Sequence, residues 1–241
     1  MISEPIVSIR NRYLRVPAGR VGFTLLEILV AMMILAIVMG LVFGTFNGVF
    51  SSADHLNESG DLFEMADACL DRMDADLEGL HVMLPPRYQM PGTDSTPDPY
   101  RIEGGTESMG GNTFAKLRFT SLAHLALGSG ASQGIAEIVY YVQPNESGGY
   151  TLYRADHLYP YPTFEPRETD PVMCDRLLAF KLIYYDKDGR EYDAWNSEDE
   201  DYDYSTPQSI GIEIKLGDEK NSYLFRTAVT LETHRFISPD R

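Results

Sequence analysis

Gly22-Phe23-Thr24-Leu25-Leu26-Glu27 leads into a run, Ile28 to Phe50, that contains no Asp, Glu, Lys, Arg or His. A run of this length meets the requirement of about 20 apolar residues for crossing a bilayer as a helix. Glu27 stands at its start. A carboxylate near the centre of a membrane segment costs roughly 2.5 kcal/mol or more, and such a residue usually has a function and a partner.

The flanks of the run are asymmetric. Before it lie Arg10, Arg12, Arg15 and Arg20 against a single acid, Glu4; after it come Asp54, Glu58, Asp61 and Glu64, with no Lys or Arg until Arg72. The positive-inside bias therefore predicts a cytoplasmic N-terminus and an external remainder from about Ser51. An ordinary secretory signal is removed after its apolar region. Ala31, Ala36 and Gly40 could mimic such a site, but the apolar run continues through them. Cleavage between Gly22 and Phe23 is the alternative. It removes the basic leader, keeps the helix and creates an amine at Phe23, one helical turn from Glu27. In packed helices that carboxylate can pair with a neighbour's amine, offsetting much of its burial cost.

This pattern resembles the class III signal of type IV pilins and type II secretion pseudopilins. The resemblance implies that a membrane prepilin peptidase cuts after Gly22 and N-methylates Phe23, and that Glu27 guides assembly into a filament. It implies a single-pass protein of the bacterial inner membrane with a periplasmic head. A plain signal anchor with an incidental Glu is the competing reading.

Length leaves room for one domain beyond the membrane helix: the chain has 241 residues and a formal net charge of -16. Loss of the leader makes it more acidic still, and no basic stripe remains to track a phosphate backbone. That argues against nucleic acid as a partner.

From Ser51 to about Met83 there is no proline, and Leu56, Leu62, Phe63, Ala66, Cys69, Leu70, Met73, Leu77 and Leu80 recur mostly at spacings of three and four. This predicts an amphipathic helix, continuous with the membrane helix and stopped by Pro85-Pro86, with a bend near Gly48 or Gly60 as the alternative. Gly40, Gly44 and Gly48 line one face and would let another helix approach closely. The expected layout is leader 1–22, membrane helix 23–50, amphipathic helix 51–84 and a β-rich head 85–241.

Residues Pro85 to Asn112 read as a long loop. Strand-like runs follow at Ala115–Ser121, Ile135–Val142, Tyr150–Arg154, Leu177–Tyr185, Ser209–Leu216 and Tyr223–Thr233, separated by short turns. Alternation is clear in Ile210-Gly211-Ile212-Glu213-Ile214-Lys215-Leu216. The expected fold is α+β, an antiparallel meander packed on the outer half of the helix.

Glu198, Asp199, Glu200 and Asp201 offer oxygens for calcium, but without the ligand spacing of an EF-hand. The favoured reading is a solvated acidic loop, with partial disorder also compatible, and no cofactor is expected. Cys69 and Cys174 permit a disulfide outside the cytoplasm but do not require one.

Downstream, the runs Glu137–Val142, Leu152-Tyr153-Arg154, Leu177–Asp186, Trp195 and Pro207–Ile214, with a last strand through Phe225-Arg226, resemble the J-type minor pseudopilins of type II secretion. The Asp193–Thr206 loop is unusually long and acidic for that pattern. The resemblance implies I- and K-type minor pseudopilins and the major pseudopilin as partners, at the tip of a short periplasmic pseudopilus. A minor pilin of a type IV pilus or competence system is the alternative. His55, His81, His124, His157 and His234 form no metal motif, Gly128-Ser129-Gly130 is not a nucleophile elbow, and no phosphate-binding glycine loop is present. No catalytic activity is expected; the chain is instead a peptidase substrate.

Overall fold

The computed structural model describes residues 24–92, 96–125, 134–218 and 220–237, with backbone alone for 47–58. The chain divides into two units, Met1–His55 and Leu56–Arg241. Helix α1, Leu25–Glu78, runs through the first and into the second.

In the second unit the helix presents Leu62, Ala66, Cys69, Met73 and Leu77 to the core, each at most 2% exposed. Burying a large apolar side chain is worth about 1.5–3 kcal/mol, so this stripe fixes which face meets the sheet. The helix ends at Glu78, six residues short of the expected Leu84, and before the prolines. Tertiary pairing stops it. His81 N–H donates to the Thr120 carbonyl at 2.8 Å, Leu122 N–H donates to Gly79 O at 2.8 Å, and Leu80 forms a bridge with Ser121. Ser121 Oγ also donates to the Asp76 carbonyl at 2.8 Å, satisfying an acceptor that the last turn leaves open.

Among the described residues a nine-stranded antiparallel sheet follows. Its strands are β1 (Glu103–Met109), β2 (Asn112–Ser121), β3 (Ala136–Pro144), β4 (Tyr150–Leu158), β5 (Val172–Tyr185), β6 (Glu191–Tyr192), β7 (Trp195–Asn196), β8 (Ser209–Gly217) and β9 (Ser222–Thr230). The order is β7-β1-β2-β3-β4-β5-β8-β9, with β6 beside β5. The α+β expectation holds.

The long loop expected from Pro85 to Asn112 is corrected in its second half, where β1 forms. Its Glu-Gly-Gly-Thr-Glu-Ser sequence lacks an apolar alternation, so its identity comes from the hairpin. Met109 pairs with Asn112 across Gly110-Gly111, whose φ angles are 56° and 86°. Two positive φ values in a two-residue loop match the twist of the flanking strands, and glycine adopts them without strain.

Strand β3 is buried from Ala136 through Val142, hence on both faces. Its inner residues Ile138, Tyr140 and Val142 join the core beneath the helix. Val139 and Tyr141 form a second, outer cluster with Ala155, against which Tyr153 and Phe164 pack.

Candidate functional site

Thr24 precedes the first residue of α1, and its Oγ1 accepts from Glu27 N–H at 3.3 Å, while the Thr24 carbonyl accepts from the same N–H at 3.0 Å. Thr24 thus caps the helix, and Glu27 occupies its third position. Thr-x-x-Glu before an apolar run is a capping-box spacing, a signal that the sequence reading missed. A negative charge there also suits the positive end of the helix dipole. Glu27 is exposed, and so are the apolar side chains around it: Leu25 is 82% and Phe43 66% exposed. The span Leu25–Phe46, 22 residues, is long and apolar enough to cross a membrane. An apolar surface of this extent needs lipid or protein around it. Gly40 and Gly44 have open space where a Cβ would stand. Gly48 belongs to the stretch with backbone alone, and Gly22 and Phe23 lie outside the described residues.

At the other end of α1 a buried ion network fastens helix to sheet. Arg154 of β4 donates from Nε to Asp76 Oδ2 at 2.6 Å and from Nη2 to Oδ1 at 3.1 Å. Tyr140 of β3 donates to Asp76 Oδ2 at 2.6 Å, and Arg72, one turn earlier on the helix, reaches Oδ1. Arg154 Nη1 continues to Asp156 Oδ2 at 2.7 Å, and Asp156 Oδ1 meets His124 Nδ1 at 2.6 Å. Burial pulls the Arg154 guanidinium down, but hydrogen bonds and charge from Asp76 and Asp156 outweigh it and hold it above its ordinary value. Burial raises the Tyr140 hydroxyl well above its ordinary range, and the Asp76 charge adds to that. Sequence reading passed over Asp76 as one more acid. Its position three residues after Met73 and one before Leu77 put it on the apolar stripe, which was the available signal.

Residues 22–43 match the family model of the prokaryotic N-terminal methylation motif. With the apolar helix that it opens, the match supports a prepilin-like protein of the type IV pilin and pseudopilin kind, a family that is structural rather than enzymatic. No curated protein matches the chain.

In this pilin-like chain the acidic loop after Trp195 is not one solvated run, which corrects that expectation. Glu198 turns inward. It accepts from Arg235 Nη2 at 2.9 Å and from the Tyr88 hydroxyl at 3.0 Å. Arg235 is fully buried, also donates to Asp98 Oδ2 at 3.0 Å, and lies 3.6 Å over the Tyr88 ring. The tail, the loop before β1 and the acidic loop are thereby joined. Asp199 caps a short 3₁₀ turn, Glu200–Tyr202, by accepting from Asp201 N–H at 3.0 Å. Of the four carboxylates named for calcium, Glu198 and Asp199 are thus engaged in separate contacts, while Glu200 and Asp201 are exposed. Among the described residues no group of three or more His, Cys, Asp or Glu side chains converges as metal ligands would.

A groove of about 840 Å³ crosses the outer face of β1–β3 beneath the 159–164 segment. Its cations are matched internally: Lys116 with Glu107 at 2.7 Å, Arg118 with Glu137 at 2.6 Å and Arg101 with Glu103 at 3.0 Å. Such pairing leaves little net charge to draw an anion. Cys69 and Cys174 are free and buried.

Proposed function

We propose that this chain is a minor, tip-type pseudopilin of the J type in a type II secretion system. The N-terminal methylation motif at residues 22–43 carries the reading. The exposed apolar surface of Leu25–Phe46 supports a membrane-resident, filament-entering helix, and the J type rests on the resemblance of the head's sequence runs from Glu137 to Arg226. On this reading prepilin peptidase cuts after Gly22 and methylates Phe23. The leader lies in the cytoplasm and the head in the periplasm. Glu27 pairs with the Phe23 amine of a neighbouring subunit, and Gly40, Gly44 and Gly48 allow close helix approach. The I- and K-type minor pseudopilins and the major pseudopilin are the partners.

Two measurements test this. Mass spectrometry of the protein from its host membrane is expected to show N-methylated Phe23; an intact Met1, or a cut between Ala31 and Gly40, overturns the processing. Full-length protein, co-expressed with I- and K-type subunits, is expected to co-purify with them. Binding to neither, together with recovery in type IV pilus fractions, would assign it instead to a pilus as a minor pilin.

A further inference from the structure

We infer that Cys69 and Cys174 are joined by a disulfide in the exported protein, pinning helix α1 to strand β5. They are the chain's two cysteines. They come from elements far apart in sequence, yet the fold brings those elements into contact. Both are within 1% of complete burial and belong to one core cluster. The nearby Cys69 thiol, together with burial, holds the Cys174 thiol above its ordinary value. An independent contact fixes the same alignment: Asp175, the residue after Cys174, donates its N–H to the sulfur of Met65 at 3.3 Å. Met65 lies one helical turn before Cys69, so β5 passes the helix within a turn of Cys69. On its other side Cys174 pairs with Leu152 of β4, which seats this part of β5 within the sheet rather than at its edge.

The inference rests on the proposed location of the head outside the cytoplasm, where disulfides form and persist. The oxidant is a disulfide-bearing thiol oxidoreductase of that compartment. One cysteine thiolate attacks the oxidant's disulfide, forming a mixed disulfide and releasing one oxidant thiol. The second cysteine thiolate then attacks the mixed disulfide at its partner cysteine, releasing the other oxidant thiol. Two protein thiols are oxidised, one oxidant disulfide is reduced to a dithiol, and both protons pass to it. Because both sulfurs are buried in the finished fold, the exchange takes place before the helix docks fully on the sheet. The crosslink closes a loop of roughly 100 residues, a length at which it restricts the unfolded chain strongly. It would also fasten the head to the helix that links it to a filament.

The full-length chain, expressed with its leader and prepilin peptidase, is trapped with N-ethylmaleimide, denatured without reductant and mapped by mass spectrometry. The expected result is one linked peptide pair containing Cys69 and Cys174, with neither alkylated until reductant is added. The wild type in reductant, and the Cys69→Ser/Cys174→Ser variant with or without it, are expected to melt roughly 10 °C below the oxidised wild type. Full alkylation of both cysteines without reductant overturns the inference. Unfolding that purified, unmodified chain and refolding it with glutathione disulfide then shows why. Formation of the link in the tube traces the failure to the head's location, and no link traces it to the geometry.

Discussion

Asp76 on the helix and Arg154 on β4 form a two-point ion pair with no solvent exposure on either side chain. A buried pair is a weak source of net stability compared with apolar residues of the same shape, but breaking it strands a charge. Asp76→Ala is therefore expected to cost about 3–5 kcal/mol. An Asp76→Leu/Arg154→Met variant should lose less than the sum of the two single changes. Trp195 is the only tryptophan and is 2% exposed, so urea unfolding followed by its fluorescence measures each term. Additive losses would mean that the two groups act independently.

The same network carries a pH dependence. Burial pushes the Asp156 carboxyl up, but Leu125 N–H, His124 and Arg154 outweigh it and hold it below the ordinary carboxylate range. A carboxyl depressed in the folded state binds its proton less readily there than in the unfolded chain. Its contribution is fully present above the unfolded value, about 3.9, and is lost as pH falls through the folded value. The gap in urea midpoint between wild type and Asp156→Asn should be constant above about pH 5 and shrink below about pH 4. A gap that widens with acid would reverse the assigned sign.

Gly104 and Gly105 of β1 form an internal control. A Cβ at Gly104 would overlap the hydroxyl and ring of buried Tyr184, which packs near Trp195, whereas one at Gly105 meets nothing within 4 Å. Gly104→Ala is expected to cost about 1–3 kcal/mol by overpacking. Gly105→Ala should be neutral or stabilise by about 0.4–1 kcal/mol, because it narrows the unfolded ensemble. Equal melting points for the two variants would contradict this arrangement of β1.

The parts of this fold written in local chemistry could be read from the sequence. Leu62, Ala66, Cys69, Met73 and Leu77 mark the buried helix face by spacing alone, and Ile210, Ile212, Ile214 and Leu216 mark a strand. What escaped was set by residues distant in the chain. The helix ends at Glu78 because residues 120–122 pair with residues 79–81, and nothing near Gly79 announces that. Strand β1 carries few apolar residues and depends on its pairing with β2. Glu198 looked like part of an acidic run, and only the return of Arg235 from the C-terminus turns it inward. At the N-terminus the Gly22–Glu27 motif was legible as a unit, but the Thr24 cap was not separated from it.

The Thr24 cap makes possible a sharper test of Glu27. In the proposed filament the Glu27 carboxylate acts through charge, whereas Thr24 acts on the helix start by accepting the Glu27 N–H. Thr24→Val should weaken the first turn by about 1 kcal/mol and leave the carboxylate in place, so filament entry should persist. Glu27→Gln keeps the size and the backbone N–H that Thr24 caps, but removes the charge. It should abolish most entry into the filament while leaving Phe23 methylated. The head's Trp195 melting curve should be unchanged, since Glu27 and the head belong to separate units. Mass spectrometry of the N-terminus, fluorescence melting and recovery in sheared filaments read these three effects separately. Normal filament entry by Glu27→Gln would rule out the charge pairing, and loss of entry by Thr24→Val alone would assign the effect to the helix start.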